Sequence, residues 1–515
     1  MSRLTIQYNG NTLTAEARPG ETLLAVLQRE HIPVQAHCNG AGRCSKCRVK
    51  CTQDGHTRPV LACTTVITQD CAVEVPVRAG GRIEQGGASR GHGPRGGFKR
   101  PGYGAAVDLG TTTVVVQLFS LSTGNRRPLD TAAEWNAQAA WGADVITRTQ
   151  HIMTHPDGLE VLSGTIRRQV FDMAAALCAR NGADPAELTE MTVAGNTIMQ
   201  HIFAGIDPSP IAAAPYTPVT LFLEGEARHF PESPGTAVTF SPCVAGYVGG
   251  DITAGLLSAE LLQEPGLSLF LDIGTNGEMA LCENGQFLCC SVASGPAFEG
   301  GEISCGMTSS PGAVSHVRRE GDRFALEVIG DAEPAGLCGS GLIDLLAVLL
   351  ECGVVDETGR LLPPDEVPDG MVPFVTEDEN GNGIFHLTKD VTFTAGDVRK
   401  LQLAKAAVAA GIEILLSDAG RTGEEVETLF LAGGFGANLN PDSAARIGMI
   451  PEALADKIFC VGNSSLSGMR QCLLAPKRRE MLLEVQRRCR YLELSGSDAF
   501  SDAFIDHIGF GDDEE

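Results

Sequence analysis

The sequence predicts two unlike bodies joined by a tether: a small α+β domain over 1–79, a linker over 80–102, and a large α/β body of two lobes over 103–515. Three observations lead there. HCNGAGRCSKCRVKC (37–51) crowds four cysteines into one short stretch, and Cys63 and Cys71 follow closely. GGRIEQGGASRGHGPRGGFKRPG (80–102) is Gly-rich and basic, with no hydrophobic period. An apolar strand, Asp-x-Gly-Thr and a second apolar strand occur twice, at AAVDLGTTTVVVQLF (105–119) and LFLDIGTNGEMALC (269–282).

In the first domain, LTIQYNG and NTLTAEA alternate about Asn9-Gly10, which predicts a β-hairpin. ETLLAVLQREH follows as a short amphipathic helix. The cysteine loop comes next, then the strands CRVKC and CAVEV.

Cys38, Cys44 and Cys47 are spaced C-x5-C-x2-C, and Cys63 lies further on. A structural zinc site usually needs two C-x2-C knuckles, and one is present. A long glycine loop, one C-x2-C and a distant fourth thiolate suit a 2Fe-2S cluster. Gly40 and Gly42 let the loop turn tightly about it. Cys51 alternates with Val49 and Cys47, and Cys71 with Val73 and Val75, which places both spare thiols on an apolar strand face. The eleven cysteines beyond residue 100 are scattered and are expected to be buried core thiols.

The tether cannot bury enough apolar surface to fold. A Gly-rich coil of its length spans about 25–30 Å root-mean-square and reaches about 75 Å when stretched. It serves either as a spacer or as a means for the front domain to move between two docking positions. The net charge of -25 argues against a nucleic-acid partner, which needs Lys and Arg. No apolar run reaches about 18 residues and the start carries no signal-peptide pattern, so the chain is expected to be soluble and cytoplasmic, without a membrane partner. In that compartment cysteines are thiols or metal ligands.

The repeated hairpins, with Asp108 and Asp272 at equivalent places, predict a duplicated architecture with a ligand between the halves. Gly110, Thr111 and Thr112 in one copy, and Gly274, Thr275 and Asn276 in the other, offer N–H groups and polar side chains to phosphate oxygens. The aspartates suit Mg²⁺ held through its waters. LFLAGGFGANLN (429–440) is a buried strand running into Gly433, Gly434 and Gly436, a loop that a base or ribose can approach closely. Thr394 and Asp397 form a capping box before the helix VRKLQLAKAAVAAGIEILL. Gly339, Ser340 and Gly341 open a second apolar helix, for tight packing or for an anion. Asp251 is the candidate base for positioning water, with Glu278 as alternative and a helix N-cap as its plain structural reading. Asn196 and Thr197 lie at a strand-to-helix turn, either facing a phosphate or capping the helix. His201, between Met199 and Ile202 on an apolar helix, is expected to be a core histidine.

AHCNGAGRCSKCRVK with LACTT resembles the 2Fe-2S ferredoxin domain, which implies a β-grasp fold and Cys38, Cys44, Cys47 and Cys63 as ligands. The two hairpins and the glycine loop, in that order, resemble the actin-like ATPase superfamily. That implies two duplicated ribonuclease-H-like lobes with ATP in the cleft. VAGNTIMQHIFAGIDPSPIAAAPYTP (193–218), AGYVGGDITAGLL (245–257), SGPAFEGGEISCGM (294–307), DVRKLQLAKAAVAAGI (397–412) and GNSSLSGM (462–469) resemble the reductive activators of corrinoid-dependent enzymes. The resemblance implies an enzyme that hydrolyses ATP and passes one electron from its cluster to a corrinoid protein of a methyltransferase system, converting Co(II) to Co(I). It also implies an upstream electron donor and a homodimer through the ATPase part. The alternatives are an activator of radical dehydratases, a small-molecule kinase with a regulatory cluster, and a non-catalytic electron carrier.

Overall fold

The computed structural model describes all residues except 1, 9, 31, 33, 35–46, 54, 77–98, 322, 331, 437 and 512–515. The described residues form two compact units, the first running to Phe240 and the second beginning at Ser241.

The first unit opens with the predicted hairpin, β1 (Ser2–Tyr8) and β2 (Asn11–Ala17), turning at Gly10 with φ +75°. Helix α1 (Leu23–Arg29) follows, its first turn capped by the Thr22 hydroxyl. Then come β3 (Arg48–Gln53), β4 (His56–Leu61) and β5 (Cys71–Glu74). The sheet order is β2-β1-β5-β3-β4, with β1 and β5 parallel and the remaining pairs antiparallel. This is the β-grasp: a mixed sheet closed over one helix. Alternation decides its core, because Leu4, Ile6, Val49, Cys51, Cys71 and Val73 face inward against Leu23, Val26 and Leu27. Strand β4 escaped the sequence reading, since HTRPVL is mostly exposed and carries a proline, as edge strands do.

The first lobe contains β6 (Tyr103–Leu109), β7 (Thr113–Ser120), β8 (Asp130–Trp135), β9 (Leu188–Ala194), β10 (Arg228–Phe230) and β11 (Ser233–Phe240). Helices α2 (Val145–Thr154), α3 (Gly158–Arg180) and α4 (Thr197–Ala204) belong to it. Most of the predicted linker lies outside the described residues. Its end does not: Arg100 N–H donates to Leu121 O, and Leu121 N–H donates to Gly102 O. Ordered backbone of this lobe therefore begins before Tyr103, because those pairs extend the β6–β7 ladder. Within this unit the Gln28 amide of the small domain donates to Ala140 O of the lobe.

The second lobe repeats the plan. It has α5 (Gly250–Ser258), β12 (Leu267–Ile273), β13 (Gly277–Glu283) and β14 (Gln286–Val292). An insertion follows, with two small sheets (β15–β17 within 313–337, β18–β20 within 375–394) and α6 (Gly339–Glu351). After α7 (Ala395–Asp418), β21 (Thr428–Ala432), β22 (Ile458–Gly462) and β23 (Cys489–Tyr491) complete the large sheet.

Among the described residues the two large sheets run β8-β7-β6-β9-β11-β10 and β23-β14-β13-β12-β21-β22. In both, an antiparallel meander of three strands is extended by two parallel strands on the side of its first member; the sixth strand differs, β10 adding antiparallel beyond β11 and β23 adding parallel beyond β14. That shared order is the ribonuclease-H-like lobe, twice. The central strands are buried on both faces, which is why they appear in sequence as continuous apolar runs. The predicted capping box of α7 is present, with Asp397 N–H donating to the Thr394 hydroxyl and Thr394 N–H donating to Asp397. Among the described residues no helix is long and apolar enough to cross a membrane.

Candidate nucleotide and cluster sites

In the first lobe, β6 carries Asp108 to its end, in register with Val115 of β7 and Ala194 of β9. Gly110 then turns the chain. A Cβ there would stand 2.6 Å from Thr113 O, so no other residue fits. The hairpin residues 110–112 are held from behind. Asn136, fully buried, donates its Nδ2 to Gly110 O at 2.8 Å and its backbone N–H to Thr112 O at 2.9 Å. Arg148 of α2, also fully buried, donates to Thr111 O at 2.6 Å. Asn196 takes the capping role expected of it and also braces the hairpin. Its Oδ1 caps α4 by accepting Met199 N–H at 2.9 Å, and its Nδ2 donates to the Thr111 hydroxyl at 2.9 Å. With that acceptor role filled, the Thr111 O–H hydrogen is available to donate elsewhere. Thr197 is buried in the first turn of α4.

His201 is a core residue. It is fully buried, with Nδ1 2.7 Å from Thr197 O and Nε2 accepting the Thr220 N–H. Burial lowers its pKa, so the ring is neutral.

In the second lobe, Asp272 ends β12 and faces Glu278 directly across the β12–β13 pair. The turn between them is fastened by Gly274 N–H to Asn276 O at 2.8 Å and by the Ser294 hydroxyl, which donates to Gly274 O at 3.2 Å. The Thr275 hydroxyl donates to Glu299 at 3.2 Å, and Asn276 Nδ2 donates to Glu278 at 3.3 Å. Strand β21 lies parallel to β12 with Ala432 opposite Asp272, so Gly433 arrives beside that carboxylate. Gly433 has φ +81°, and a Cβ on it would stand 3.0 Å from Asp272 Oδ1. The predicted glycine loop is in fact a single helical turn, Gly433–Gly436. Glycine disguised it: low helix propensity makes such a run look like loop. Phe435 within it stacks on Phe298 at 5.2 Å.

Asp251 lies in the first turn of α5, whose N-cap is Gly249, so the capping explanation does not account for it. Helix α5 packs backbone-close against helix Ser464–Leu474: a Cβ at Gly468 would meet Ala254 O at 2.2 Å. Glu278 is 9% exposed, and its pKa is raised well above the carboxylate range, first by burial and then by the charges of Asp251 and Asp272. Those three carboxylates thus share one electrostatic neighbourhood. Among the described residues no three His, Cys, Asp or Glu side chains are close enough to cage a metal ion.

Gly339 and Gly341 are packing glycines. A Cβ would meet Phe298 O at 2.0 Å in one case and Val314 O at 2.2 Å in the other. Glu299, Asn136 and Arg148 were missed by sequence reasoning. Glu299 stood in a motif, SGPAFEGG, without a role; the other two gave no signal, because a buried polar residue is indistinguishable in sequence from a surface one.

For the cluster, Cys38 and Cys44 lie outside the described residues. Cys47 and Cys63 are buried, with sulfurs 3.3 Å apart. A tetrahedral metal with bonds of about 2.3 Å spaces two thiolates by about 3.8 Å, so a small outward turn of the two side chains lets this pair share one iron. Backbone bonds set it: Ala62 N–H to Cys47 O at 2.9 Å, and Leu24 N–H to Ala62 O at 2.9 Å, tie the Cys63 turn to β3 and α1. Cys51 and Cys71 are in the core as expected. Burial and the neighbouring Cys51 push the Cys71 thiol up to about 12.

Comparison with known proteins gives the family. Residues 6–68 match the 2Fe-2S iron-sulfur cluster binding domain, 103–264 the RACo middle region, and 266–514 the C-terminal domain of RACo, the ASKHA domain. The chain is 30% identical over 426 residues to the corrinoid activation enzyme RamQ of Eubacterium limosum, covering 80% of this chain and 71% of that one. It is 26% identical over 448 residues to the [Co(II) methylated amine-specific corrinoid protein] reductase of Methanosarcina barkeri, covering 79% and 77%. A solved reductive activator for corrinoid, iron-sulfur protein superposes with TM-score 0.71 at 29% identity, over 99% of this chain and 98% of that one. Cysteine pair, duplicated hairpins and end-to-end likeness together make this chain a member of the RACo family, the reductive activators with a 2Fe-2S ferredoxin domain and an actin-like ASKHA domain.

Proposed function

We propose that the chain is an ATP-dependent activase that returns one electron to the cobalt of a corrinoid protein, taking Co(II) back to Co(I). The observation that carries this reading is the likeness to a solved reductive activator over 99% of the chain, including the cysteine domain and both lobes. When bound, a 2Fe-2S cluster supplies a one-electron carrier, held by Cys47 and Cys63 together with Cys38 and Cys44. For one electron, each ~59 mV uphill costs about 1.4 kcal/mol. ATP offsets that cost only by binding two conformations unequally.

In this reading Asp108 and Asp272 hold Mg²⁺ through water. Gly110, Thr111, Thr112, Gly274, Thr275 and Asn276 bind phosphate oxygens. The turn Gly433, Gly434 and Gly436 receives the nucleoside. Water activation falls to Asp251 or Glu278, the two carboxylates whose fields overlap beside Asp272. The corrinoid partner belongs to a methyltransferase system, an upstream donor refills the cluster, and the protein works in the cytoplasm as a homodimer through its ATPase part.

The test is Co(I) formation on a corrinoid protein, followed by its visible spectrum, with the cluster reconstituted. Co(I) should appear only when ATP, Mg²⁺ and a reductant are all present. Full-rate Co(I) formation without ATP would overturn the reading.

A further inference from the structure

The first-lobe hairpin has an unusual support. Arg148 is 0% exposed. Its Nη2 donates to Thr111 O at 2.6 Å, its Nε to Gly142 O at 3.0 Å, and its Nη1 to Gln138 Oε1 at 3.2 Å, beside Met199 Sδ at 3.1 Å. Every one of these acceptors is neutral. The carboxylate whose charge it feels, Asp144, is engaged as the N-cap of α2. Burial lowers the guanidinium pKa to about 9, so the group remains charged at neutral pH. A buried charge without an adjacent counter-ion is costly. Retaining it makes sense where an anion arrives later.

The backbone geometry says where. Asn136 Nδ2 takes Gly110 O, and Arg148 takes Thr111 O. In a trans peptide the N–H points opposite to the C=O. Two consecutive carbonyls drawn to the back of the hairpin therefore turn the N–H groups of Thr111 and Thr112 to its front. The same bonds remove from that front the carbonyl dipoles that would repel a phosphate.

Resting on the ATP-binding reading, we propose that Arg148 and Asn136 are positioning residues for the nucleotide phosphates: they hold the Gly110 and Thr111 peptides in the anion-binding orientation, and Arg148 supplies positive charge from behind. Neither residue touches the ligand.

The experiment uses the full-length protein with its cluster reconstituted, and measures dissociation constants for ATP, ADP, tripolyphosphate and adenosine. Arg148→Met is expected to weaken ATP, ADP and tripolyphosphate about 30-fold, or about 2 kcal/mol, with adenosine within twofold of wild type. Arg148→Lys, which keeps the charge, should regain several-fold. Where Arg148→Met does not fold, Asn136→Ser takes its place, with about a tenfold loss confined to the phosphate-bearing ligands. The split between phosphate ligands and adenosine is a readout that simple destabilisation does not move. Phosphate affinity within twofold of wild type in a folded variant, or equal losses for ATP and adenosine, overturns the proposal. Wild-type protein that binds none of the phosphate ligands overturns the ATP reading itself, and this proposal with it.

Discussion

Glu278→Gln is the sharpest probe of the second lobe. Glu278 and Asp272 are direct cross-strand partners, and Asp251 adds to the same field. Two carboxylates about 5 Å apart at an effective dielectric of about 20 repel by about 3 kcal/mol. The alternative to that repulsion is to keep Glu278 protonated, which at pH 7 costs about 4 kcal/mol against an ordinary glutamate. Either way the metal-free protein carries a penalty, and glutamine, which can still accept from Asn276, removes it. After allowance for relaxation and water entry, we expect about 2 kcal/mol of added stability in Glu278→Gln, or roughly 4 °C for a unit of this size.

The pH dependence gives the sign. Glu278 has a folded pKa above its unfolded one, so the native state binds more protons and wild-type stability falls as pH rises from about 4.3, by up to about 1.4 kcal/mol per unit, until the folded pKa is passed. The variant lacks this fall, so its advantage grows with pH. The assay is denaturant unfolding of metal-free protein between pH 5 and 8.5, with and without Mg²⁺ and ATP, which should narrow the gap. ATPase activity of the variant should fall at least 100-fold if Glu278 is the base. A variant less stable than wild type at pH 8 by more than about 1 kcal/mol would refute the argument, because it would mean that Glu278 is ionised and well partnered without metal.

Three further outcomes are expected. Cys51→Ser should keep its cluster, at a cost of about 1–2 kcal/mol for a buried hydroxyl, whereas Cys63→Ser should lose or badly perturb it; iron content and the visible spectrum decide. Gly433→Ala should cost about 1–2 kcal/mol for its left-handed backbone and displace the Asp272 carboxylate, with ATP hydrolysis lost while the cluster spectrum is unchanged. Lys405, 2% exposed, donates to Gly509 O and lies 5.1 Å from the Phe510 ring, and burial lowers its pKa to about 8. Its unfolded state binds more protons, so stability should rise by up to about 3 kcal/mol from pH 8 to about 10.4; unfolding curves of Lys405→Met should lack that rise.

Much of this was legible before any coordinates. Period-two alternation placed Cys51 and Cys71 in the core, and the capping box at Thr394 located the start of α7. The repeated Asp-x-Gly-Thr hairpin announced the duplicated lobe, because a glycine forced by a close backbone approach leaves a mark in sequence. The helical turn at Gly433–Gly436 reads as a loop for the opposite reason: its glycines have low helix propensity, so nothing local marks the turn.

Spacing and periodicity are local properties of the chain, and they alone gave the modules, the thiol set and the two Asp-x-Gly-Thr hairpins. What stands behind and beside them became visible in the folded chain. Asn136 and Arg148 reach the first hairpin from residues 26 and 37 positions away, and Gly433 reaches Asp272 through parallel strand pairing. Parallel pairing and buried polar support join segments that are distant in sequence, and no local pattern encodes which distant group will arrive.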